Sequence, residues 1–253
     1  MKTVAIIQAR MASTRLPGKV MMEVAGKPLL GHVIGRARRA RTLDLVAVAT
    51  SDRQTDDIVS QFCAGAEIPC FRGSEEDVLD RYYKGAKHFG ADAIVRLTAD
   101  CPLLDPVVID RVVAVFRWGD FDYVSNTLEP TYPDGSDTEV FGRETLERAW
   151  GEARLKSERE HVTPYIWKNP ALFRLANVRS EQDLSHLRWT VDEPEDLEFV
   201  RRVYGYLGST MAFGMADILA LLREHPELSS INTGSRRNEG YQKSLREDAF
   251  VPE

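Results

Sequence analysis

The stretch "TVAIIQARMASTRLPGK", from Thr3 to Lys19, joins an apolar run to a cationic loop near the start of the chain. The apolar half predicts a buried strand. The polar half carries Arg10, Arg15 and Lys19, two hydroxyls and a Pro-Gly turn, with no acidic residue. A loop that leaves a strand for helical structure points backbone N–H groups above the sheet, and added cations there favour phosphate. These residues alone leave a phosphate site and a surface turn equally open.

Short apolar runs alternate with helical periodicity as far as residue 126. This βαβα order predicts an α/β fold with a mostly parallel sheet and helices on both faces. Strands are expected at 3–7, 45–50, 69–71 and 93–100, and helices start near Pro28, Thr55, Ser74 and Asp105.

The regular alternation breaks at "TLEPTYPDGSDTEVF", residues 127–141, which is rich in turn formers and acids. We interpret about 127–170 as an insertion, an acceptor-binding lobe over the carboxyl edge of the sheet, where ligands of open α/β sheets bind. Strand-like runs at 172–178 and 187–192 and a helix at 194–207 follow, within one domain spanning 1–228. The polar tail, 229–253, is expected to pack loosely or to contact a partner.

The composition is that of an ordinary globular protein, with 253 residues, 43% hydrophobic and 28% charged. No apolar stretch approaches the roughly 18–20 residues of a membrane span, and the opening residues are not expected to act as a signal peptide. The three cysteines have no C-x-x-C spacing, which favours reduced thiols and a cytoplasmic location.

The charge of the chain is unevenly distributed. The net charge of −6 argues weakly against a nucleic-acid partner. Up to Arg41, however, the chain carries nine Lys or Arg residues against a single acid, Glu23. A basic cluster in an acidic protein suits a compact anion such as a triphosphate.

Several phrases resemble one enzyme family. "IIQARMASTRLPGKVMMEVAGKPLLGHVI" is similar to the opening of the cytidylyltransferases that make CMP-activated sugar acids, the CMP-ketodeoxyoctonate synthetases and acylneuraminate cytidylyltransferases. "RGSEEDVLDRYY", "LTADCPLLDP", "YPDGSDTEVF" and "LRWTVDEPEDL" resemble the branch named for spore-coat polysaccharide biosynthesis protein F. The resemblance implies a Rossmann-like nucleotidyltransferase fold. It also implies Mg²⁺-dependent transfer of CMP from CTP to a sugar acid, with release of pyrophosphate.

The resemblance assigns the opening loop to CTP. Residues of this loop would hold the triphosphate, and hydroxyls and a cation after the second and third strands would contact base or ribose. The cap-and-turn interpretation of those later residues is equally good, and the chain lacks the S-G-T-D-R run of the ketodeoxyoctonate enzymes. The predicted CTP-binding residues are Gln8, Ala9, Arg10, Ser13, Arg15, Lys19, Thr50, Ser51, Arg72 and Ser74.

Two acids, Asp100 and Asp192, each follow an apolar run and are candidates for a metal site. A carboxylate at a strand end is often a helix cap or a turn residue, and the pattern alone does not separate these roles. The resemblance makes both of them ligands of Mg²⁺ and places them with Arg10 and Lys19 in the catalytic set. Asp196 is interpreted as ordinary helix surface.

The acceptor would need a cation for its carboxylate and polar partners for its hydroxyls. An Arg–carboxylate contact is bidentate and specific in geometry. A surface salt bridge for the arginine and a core position for the histidine are the alternatives. The attacking hydroxyl belongs to the substrate, so Cys101 is not expected to act as a nucleophile. The candidate acceptor residues are Tyr132, Asp134, Asp137, Glu139, Arg159 and His161.

Two other functions fit parts of the pattern. A nucleotide-sugar glycosyltransferase would typically carry a D-x-D motif, but "TADC" is not one. A catalytically silent nucleotide-binding protein would be expected to lose loop cations or metal acids. Within cytidylyl transfer, a phosphonate or polyol phosphate acceptor stays open. Related enzymes are commonly homodimers, so a homodimer without nucleic-acid or membrane partners is expected.

Overall fold

A computed structural model describes residues 1–208, 212–234 and 237–251 of the chain. Its elements follow from the apolar runs and caps of the sequence. The strands are β1 (Thr3–Gln8), β2 (Glu23–Val24), β3 (Lys27–Pro28), β4 (Leu45–Ser51), β5 (Cys70–Gly73), β6 (Ala93–Thr98), β7 (Tyr123–Ser125), β8 (Glu139–Gly142) and β9 (Leu175–Asn177). The α-helices are α1 (Leu29–Ala37), α2 (Asp57–Gly65), α3 (Val78–Phe89), α4 (Pro106–Trp118), α5 (Arg143–Glu152), α6 (Lys156–His161), α7 (Pro164–Trp167), α8 (Pro194–Leu207), α9 (Met215–Glu224) and α10 (Glu239–Arg246).

The main sheet has the strand order β5-β4-β1-β6-β8-β7-β9, and β2 and β3 form a separate hairpin. Strand β1 pairs in parallel with β4 and β6, while β8 runs antiparallel to its neighbours β6 and β7. All other strands of the main sheet share the direction of β1. This arrangement confirms the predicted α/β class with a mostly parallel sheet.

Alternating side chains of β1 pack into two apolar layers, one on each face of the sheet. Ala5 and Ile7 pack beneath α1, α2 and α4, whereas Val4 and Ile6 pack against α3 and α5. Period-two alternation produces this division, since successive side chains of a strand point to opposite faces. The sheet is thus covered on both faces, and its carboxyl edge is left to the loops.

The segment 127–170 does not form a separate lobe. It supplies β8, whose Val140 and Phe141 are fully buried, and the sheet needs this strand to connect β6 with β7. The expected strand at 187–192 is also absent, because that segment makes only an isolated bridge from Arg188 to Asp134. Both differences arise because apolar runs report burial and do not report which strand they will pair with.

The polar tail is folded against the domain rather than loosely packed. Helix α10 contacts α6, and Asp248 accepts a hydrogen bond from the backbone N–H of Ser157 at 2.9 Å. Residues 235, 236, 252 and 253 of the predicted tail lie outside the described residues. In the described ranges, no helix combines the length and the apolar character that crossing a membrane requires.

Candidate active site

A cleft of about 1290 Å³ opens at the carboxyl edge of the sheet. The opening loop, the ends of β1 and β6, the start of α3, and helices α6 and α10 line it. Ligand pockets commonly measure about 300–1,000 Å³, so this cleft has room for more than one small substrate. The opening-loop residues that the sequence predicted for CTP all line it: Gln8, Ala9, Arg10, Ser13, Arg15 and Lys19.

The ammonium of Lys19 lies between the two predicted metal acids. It donates to Asp100 Oδ2 at 2.6 Å, to Asp192 Oδ1 at 2.8 Å and to the carbonyl oxygen of Val191 at 2.8 Å. Gly18, with a φ of 74°, makes the left-handed turn that directs Lys19 inward. The parallel sheet thus brings together two acids that are far apart in the chain.

Burial and charge oppose each other in this group. Burial lowers the pKa of Lys19, but the two carboxylates outweigh it and hold the pKa above its ordinary value. Burial would raise the pKa of Asp100, but the Lys19 ammonium and its hydrogen bond bring it to about 2. Asp100 and Lys19 are therefore both charged at neutral pH.

A second cation, Arg188, holds Asp192 from the other side. Its guanidinium donates to Asp192 Oδ2 at 2.8 Å, to Asp196 Oδ1 at 2.8 Å and to Asp134 Oδ2 at 2.9 Å. Gly135 allows this approach, because a Cβ atom there would lie 2.5 Å from the backbone nitrogen of Thr190. The arginine thus links three carboxylates and fixes the orientation of Asp192.

Asp196 is not a surface residue, and that interpretation of the sequence is wrong. It is 1% exposed and accepts hydrogen bonds from Arg188 and from the backbone N–H groups of Asp192 and Glu193. Asn232, from the C-terminal segment, also donates to it at 3.0 Å. Asp196 is a buried cap of α8 that supports Asp192.

The remaining loop cations are more accessible. The guanidinium of Arg15 lies 2.8 Å from Asp192 Oδ1 and 3.2 Å from Glu239 Oε2. Arg10 has a side chain that is 41% exposed, and its nearest carboxylate, on Glu160, is 3.8 Å away. Both arginines can therefore turn toward a polyanion in the cleft.

Four predicted base or ribose contacts lie away from this cleft. Thr50 and Ser51 are fully buried, and the Ser51 hydroxyl bonds to Asp56. Arg72 lies 2.7 Å from Asp57, and Arg72 and Ser74 line a separate cavity of about 560 Å³. The hydroxyls of Ser51 and Ser74 are engaged locally, as the cap-and-turn interpretation expected, whereas the Thr50 hydroxyl is buried without a hydrogen-bond partner.

Three of the predicted acceptor residues are engaged in the interior. Glu139 is 6% exposed and pairs with Arg96, with Thr163 Oγ1 donating to it at 2.6 Å. Tyr132 is 1% exposed, and its hydroxyl accepts from Arg111 at 3.2 Å. Neither side chain can reach a substrate in this conformation.

Arg159 is the third. Its guanidinium donates to Asp77 Oδ2 at 2.6 Å and to the carbonyl oxygen of Trp150 at 2.7 Å. Asp77 is also the N-cap of α3, where it accepts from the backbone N–H of Asp80. Arg159 thus ties α6 to the start of α3 and points away from the cleft.

Replacing Arg159 by alanine is therefore expected to cost stability and not acceptor binding. Loss of a half-buried, bidentate pair should lower the free energy of unfolding by about 1–3 kcal/mol. The KM values for CTP and acceptor should change by less than about threefold, below 1 kcal/mol. Urea unfolding together with steady-state kinetics measures both, and a selective rise in the acceptor KM would contradict this role.

The other predicted acceptor residues lie at or near the cleft. Asp137 pairs with Arg237, a cleft residue from the C-terminal segment, and Asp134 pairs with Arg188. His161 lines the cleft and is 2.9 Å from Ser244 Oγ on α10. Burial, aided by nearby arginines, lowers the pKa of His161 to about 4. The imidazole is therefore neutral at pH 7 and cannot be the cation for an acceptor carboxylate.

A cationic loop after the first strand that faces two acids at the carboxyl edge of a parallel sheet is an arrangement typical of the nucleotidyltransferase class. The family model for cytidylyltransferases matches residues 4–213. The chain belongs to the cytidylyltransferase family.

Individual relatives agree with this assignment. The spore coat polysaccharide biosynthesis protein SpsF of Bacillus subtilis is 35% identical over 234 residues, covering 89% of this chain and 95% of SpsF. An uncharacterised protein of Methanocaldococcus jannaschii is 35% identical over 249 residues, covering 98% of this chain and 99% of the relative. The 3-deoxy-manno-octulosonate cytidylyltransferase of Geobacter sulfurreducens is 40% identical over 114 residues, 45% of each chain.

Among solved structures, a cytidylyltransferase from Leptospira borgpetersenii superposes with a TM-score of 0.88 at 32% identity, covering 94% of this chain and 100% of the other. These comparisons confirm the predicted family, its nucleotidyltransferase activity and the likeness to the SpsF branch. They decide against the glycosyltransferase interpretation.

The oxygen atoms around the Lys19 ammonium fit a magnesium ion as ligands. Two carboxylate oxygens and a carbonyl oxygen converge on one cation, the ammonium, and hard oxygen ligands are those that Mg²⁺ prefers. Within the described part of the chain, no group of three or more His, Cys, Asp or Glu side chains is placed to hold a metal. A two-carboxylate site agrees with Mg²⁺, which retains waters and phosphate oxygens as its other ligands.

The sequence interpretation missed the residues that support the acids. Arg188 stands four residues before Asp192 in "LRWTVD", where an arginine in an apolar run was a usable signal of a buried charge. Asn232 and Arg237 lie in the polar tail, and no local pattern marks them as part of a site. Their contribution depends on the tail folding back across the edge of the sheet.

Proposed function

We propose that this protein is a Mg²⁺-dependent cytidylyltransferase that transfers CMP from CTP to a sugar acid and releases pyrophosphate. The observation that carries the proposal is the placement of Lys19 between Asp100 and Asp192 inside the cleft of the cationic loop. Two of the relatives, a 3-deoxy-manno-octulosonate cytidylyltransferase and a spore-coat polysaccharide biosynthesis protein, support a sugar acid as acceptor and a surface polysaccharide as the destination.

The catalytic work of the chain is positioning and charge neutralisation. Asp100 and Asp192 would hold the metal, which polarises the α-phosphorus for attack when bound. Arg10 and Arg15 donate to the phosphate oxygens. Lys19, which shares its two carboxylates with the metal site, turns its ammonium to the phosphates and stabilises the negative charge that shifts onto pyrophosphate.

The nucleophile is a hydroxyl of the acceptor, so the protein supplies none. Cys101 lies beside Asp100, but burial raises the pKa of its thiol well above the ordinary value, which keeps it protonated and unreactive. Helix α6 and the C-terminal segment form the other wall of the cleft, with Lys156, His161 and Arg237 facing it. We assign the acceptor to this wall. A homodimer and a cytoplasmic location remain predictions from the sequence.

The choice of nucleotide tests the proposal directly. With Mg²⁺ present, CTP is expected to raise the melting temperature more than UTP, ATP or GTP, because a ligand stabilises the folded state by mass action on its binding site. Thermal-shift measurements at equal nucleotide concentrations provide the comparison. Equal shifts for all four nucleotides would leave a triphosphate site but remove the cytidylyl assignment.

The acceptor is then identified by pyrophosphate release across a panel. CTP is offered with sugar acids, and with phosphonates and polyol phosphates as the competing classes. Release with a sugar acid supports the proposal. Release confined to a phosphonate or polyol phosphate would keep cytidylyl transfer and overturn the sugar-acid acceptor.

A further inference from the structure

The C-terminal segment 237–251 lies along the cleft, and we call it the strap. It follows the range 4–213 that the family model matches. Glu239, Lys243 and Arg246 of the strap line the cleft together with Arg15 of the opening loop. A ligand that binds to the opening loop therefore meets the strap as well.

The end of the strap is fixed by main-chain hydrogen bonds near the start of α6. The carbonyl oxygen of Ala249 accepts from the backbone N–H of Lys156 at 2.8 Å. The backbone N–H of Val251 donates to the carbonyl oxygen of Arg154 at 2.7 Å. These bonds use no charged group, so an ion in the cleft does not compete for them.

Helix α10, in the middle of the strap, is held by weaker contacts. It is eight residues long, and none of them is buried. Isolated helices shorter than about 12–15 residues are marginal in water, so α10 depends on side-chain contacts with the walls of the cleft. Ser244 Oγ donates to Glu160 Oε2 at 3.0 Å, and Glu239 pairs with Arg15 at 3.2 Å. The side chains of that ion pair are 42% and 33% exposed, and ion pairs so accessible to water contribute little.

The ion pair occupies a cation that the proposed function assigns to phosphate. The Arg15 guanidinium is also 2.8 Å from Asp192 Oδ1 and 3.5 Å from Glu193 Oε1. Asp192 and Glu193 belong to the start of α8, whereas Glu239 reaches the loop from the strap. A phosphate oxygen forms the same kind of charge-assisted hydrogen bond with a guanidinium as a carboxylate does. Glu239 and a phosphate therefore compete for Arg15.

We propose that the strap is an autoinhibitory element in which Glu239 competes with the triphosphate for Arg15. A bound triphosphate displaces Glu239 and frees α10 from the opening loop, while the bonds of Ala249 and Val251 keep the strap attached. After pyrophosphate leaves, Glu239 pairs with Arg15 again. The proposal rests on the phosphate-binding role of the loop in the proposed function, and it adds a regulatory contact from outside the family-matched range.

Calorimetric titration of tripolyphosphate and of CTP, each with Mg²⁺, tests the strap. Glu239→Gln keeps the shape of the side chain but removes the competing charge, so both ligands should bind about two- to fivefold more tightly than to the wild type. Glu247→Gln is the matched control, because it removes a cleft carboxylate from the other end of α10. Its gain should be smaller. In an Arg15→Ala background, the gain from Glu239→Gln should fall to that of Glu247→Gln.

Hydrogen exchange measures the same contact without a ligand. Arg15 lies 224 positions before Glu239 in the chain. Arg15→Ala should nevertheless speed amide exchange in α10 by about two- to fivefold, because the helix loses a contact that opposes its local opening. Lys27→Ala, on the exposed strand β3, is the control and should leave this exchange unchanged.

Three results would overturn the strap. One is a Glu239→Gln variant that binds tripolyphosphate no more tightly than Glu247→Gln does. Another is an undiminished gain in the Arg15→Ala background, and the third is unchanged amide exchange in α10 of Arg15→Ala. If Arg15→Ala binds too weakly to be titrated, the amide exchange decides the outcome. A wild-type protein that binds neither CTP nor tripolyphosphate would instead refute the proposed function.

Discussion

Replacing Asp100 or Asp192 by asparagine is expected to lower the turnover number by about a hundredfold or more, as lost transition-state stabilisation. The amide keeps the shape of the side chain but removes a hard anionic ligand. Both oxygens now converge on Lys19, at 2.6 and 2.8 Å, so each substitution also removes half of the charge that holds this cation. Steady-state kinetics with titrated Mg²⁺ measures the loss.

The same variants should also bind Mg²⁺ more weakly. Calorimetric titration measures this binding independently of turnover. Glu195→Gln is the matched control, because it removes an exposed carboxylate from the first turn of α8. Asp196 is unsuitable as a control, since it is buried and holds both Arg188 and the backbone of Asp192. Full turnover in Asp192→Asn with normal Mg²⁺ binding would show that this acid is not a metal ligand.

Lys19→Ala should reduce both CTP binding and stability. The side chain is 10% exposed, and Asp100 has no other ion-pair partner among the described residues. Breaking a buried pair costs about 3–5 kcal/mol. Because the Asp100 side chain is 25% exposed and solvent screens it, we expect a loss of about 2–3 kcal/mol, or roughly 4–12 °C in melting temperature.

The loss of stability in Lys19→Ala is expected to depend on pH. In the wild type, Lys19 holds the pKa of Asp100 at about 2, below its value in an unfolded chain. That stabilisation is present above about pH 4 and is lost as the pH falls toward 2. Without Lys19, burial raises the pKa of Asp100. Protonation of Asp100 at low pH then removes its unpaired charge and reduces the variant's loss of stability.

The difference in melting temperature between wild type and Lys19→Ala should therefore narrow from pH 7 to pH 3. Lys27→Ala, on the exposed hairpin strand β3, is the control and should show no such difference. A gap that is constant across this pH range would show that Lys19 does not stabilise the fold through Asp100.

Local patterns were enough for the framework and the opening loop. Apolar runs gave the strands β1, β4 and β6, and Asp105 caps α4 as its Asp-Pro spacing predicts. The six loop residues predicted for CTP line the cleft because they follow the central strand directly. Periodicity and capping act over a few residues, so a linear sequence records them in full.

Local patterns did not predict the partners of the charged side chains. Arg159 resembled an acceptor ligand, but it pairs with Asp77, 82 positions away in the chain. Glu139 resembled one too, but it is buried against Arg96. A charge in a polar segment carries no mark of the group that will face it after folding.

The acids of the site also have partners in the C-terminal tail that the sequence did not reveal. Asn232 and Arg237 reach Asp196 and Asp137 only because the chain folds back over the carboxyl edge of the sheet. The sequence placed the cations of the loop and named the two metal acids by family resemblance. Which acids are held by which cations depends on contacts between distant segments, because a side chain's partner is set by packing in three dimensions and not by its neighbours along the chain.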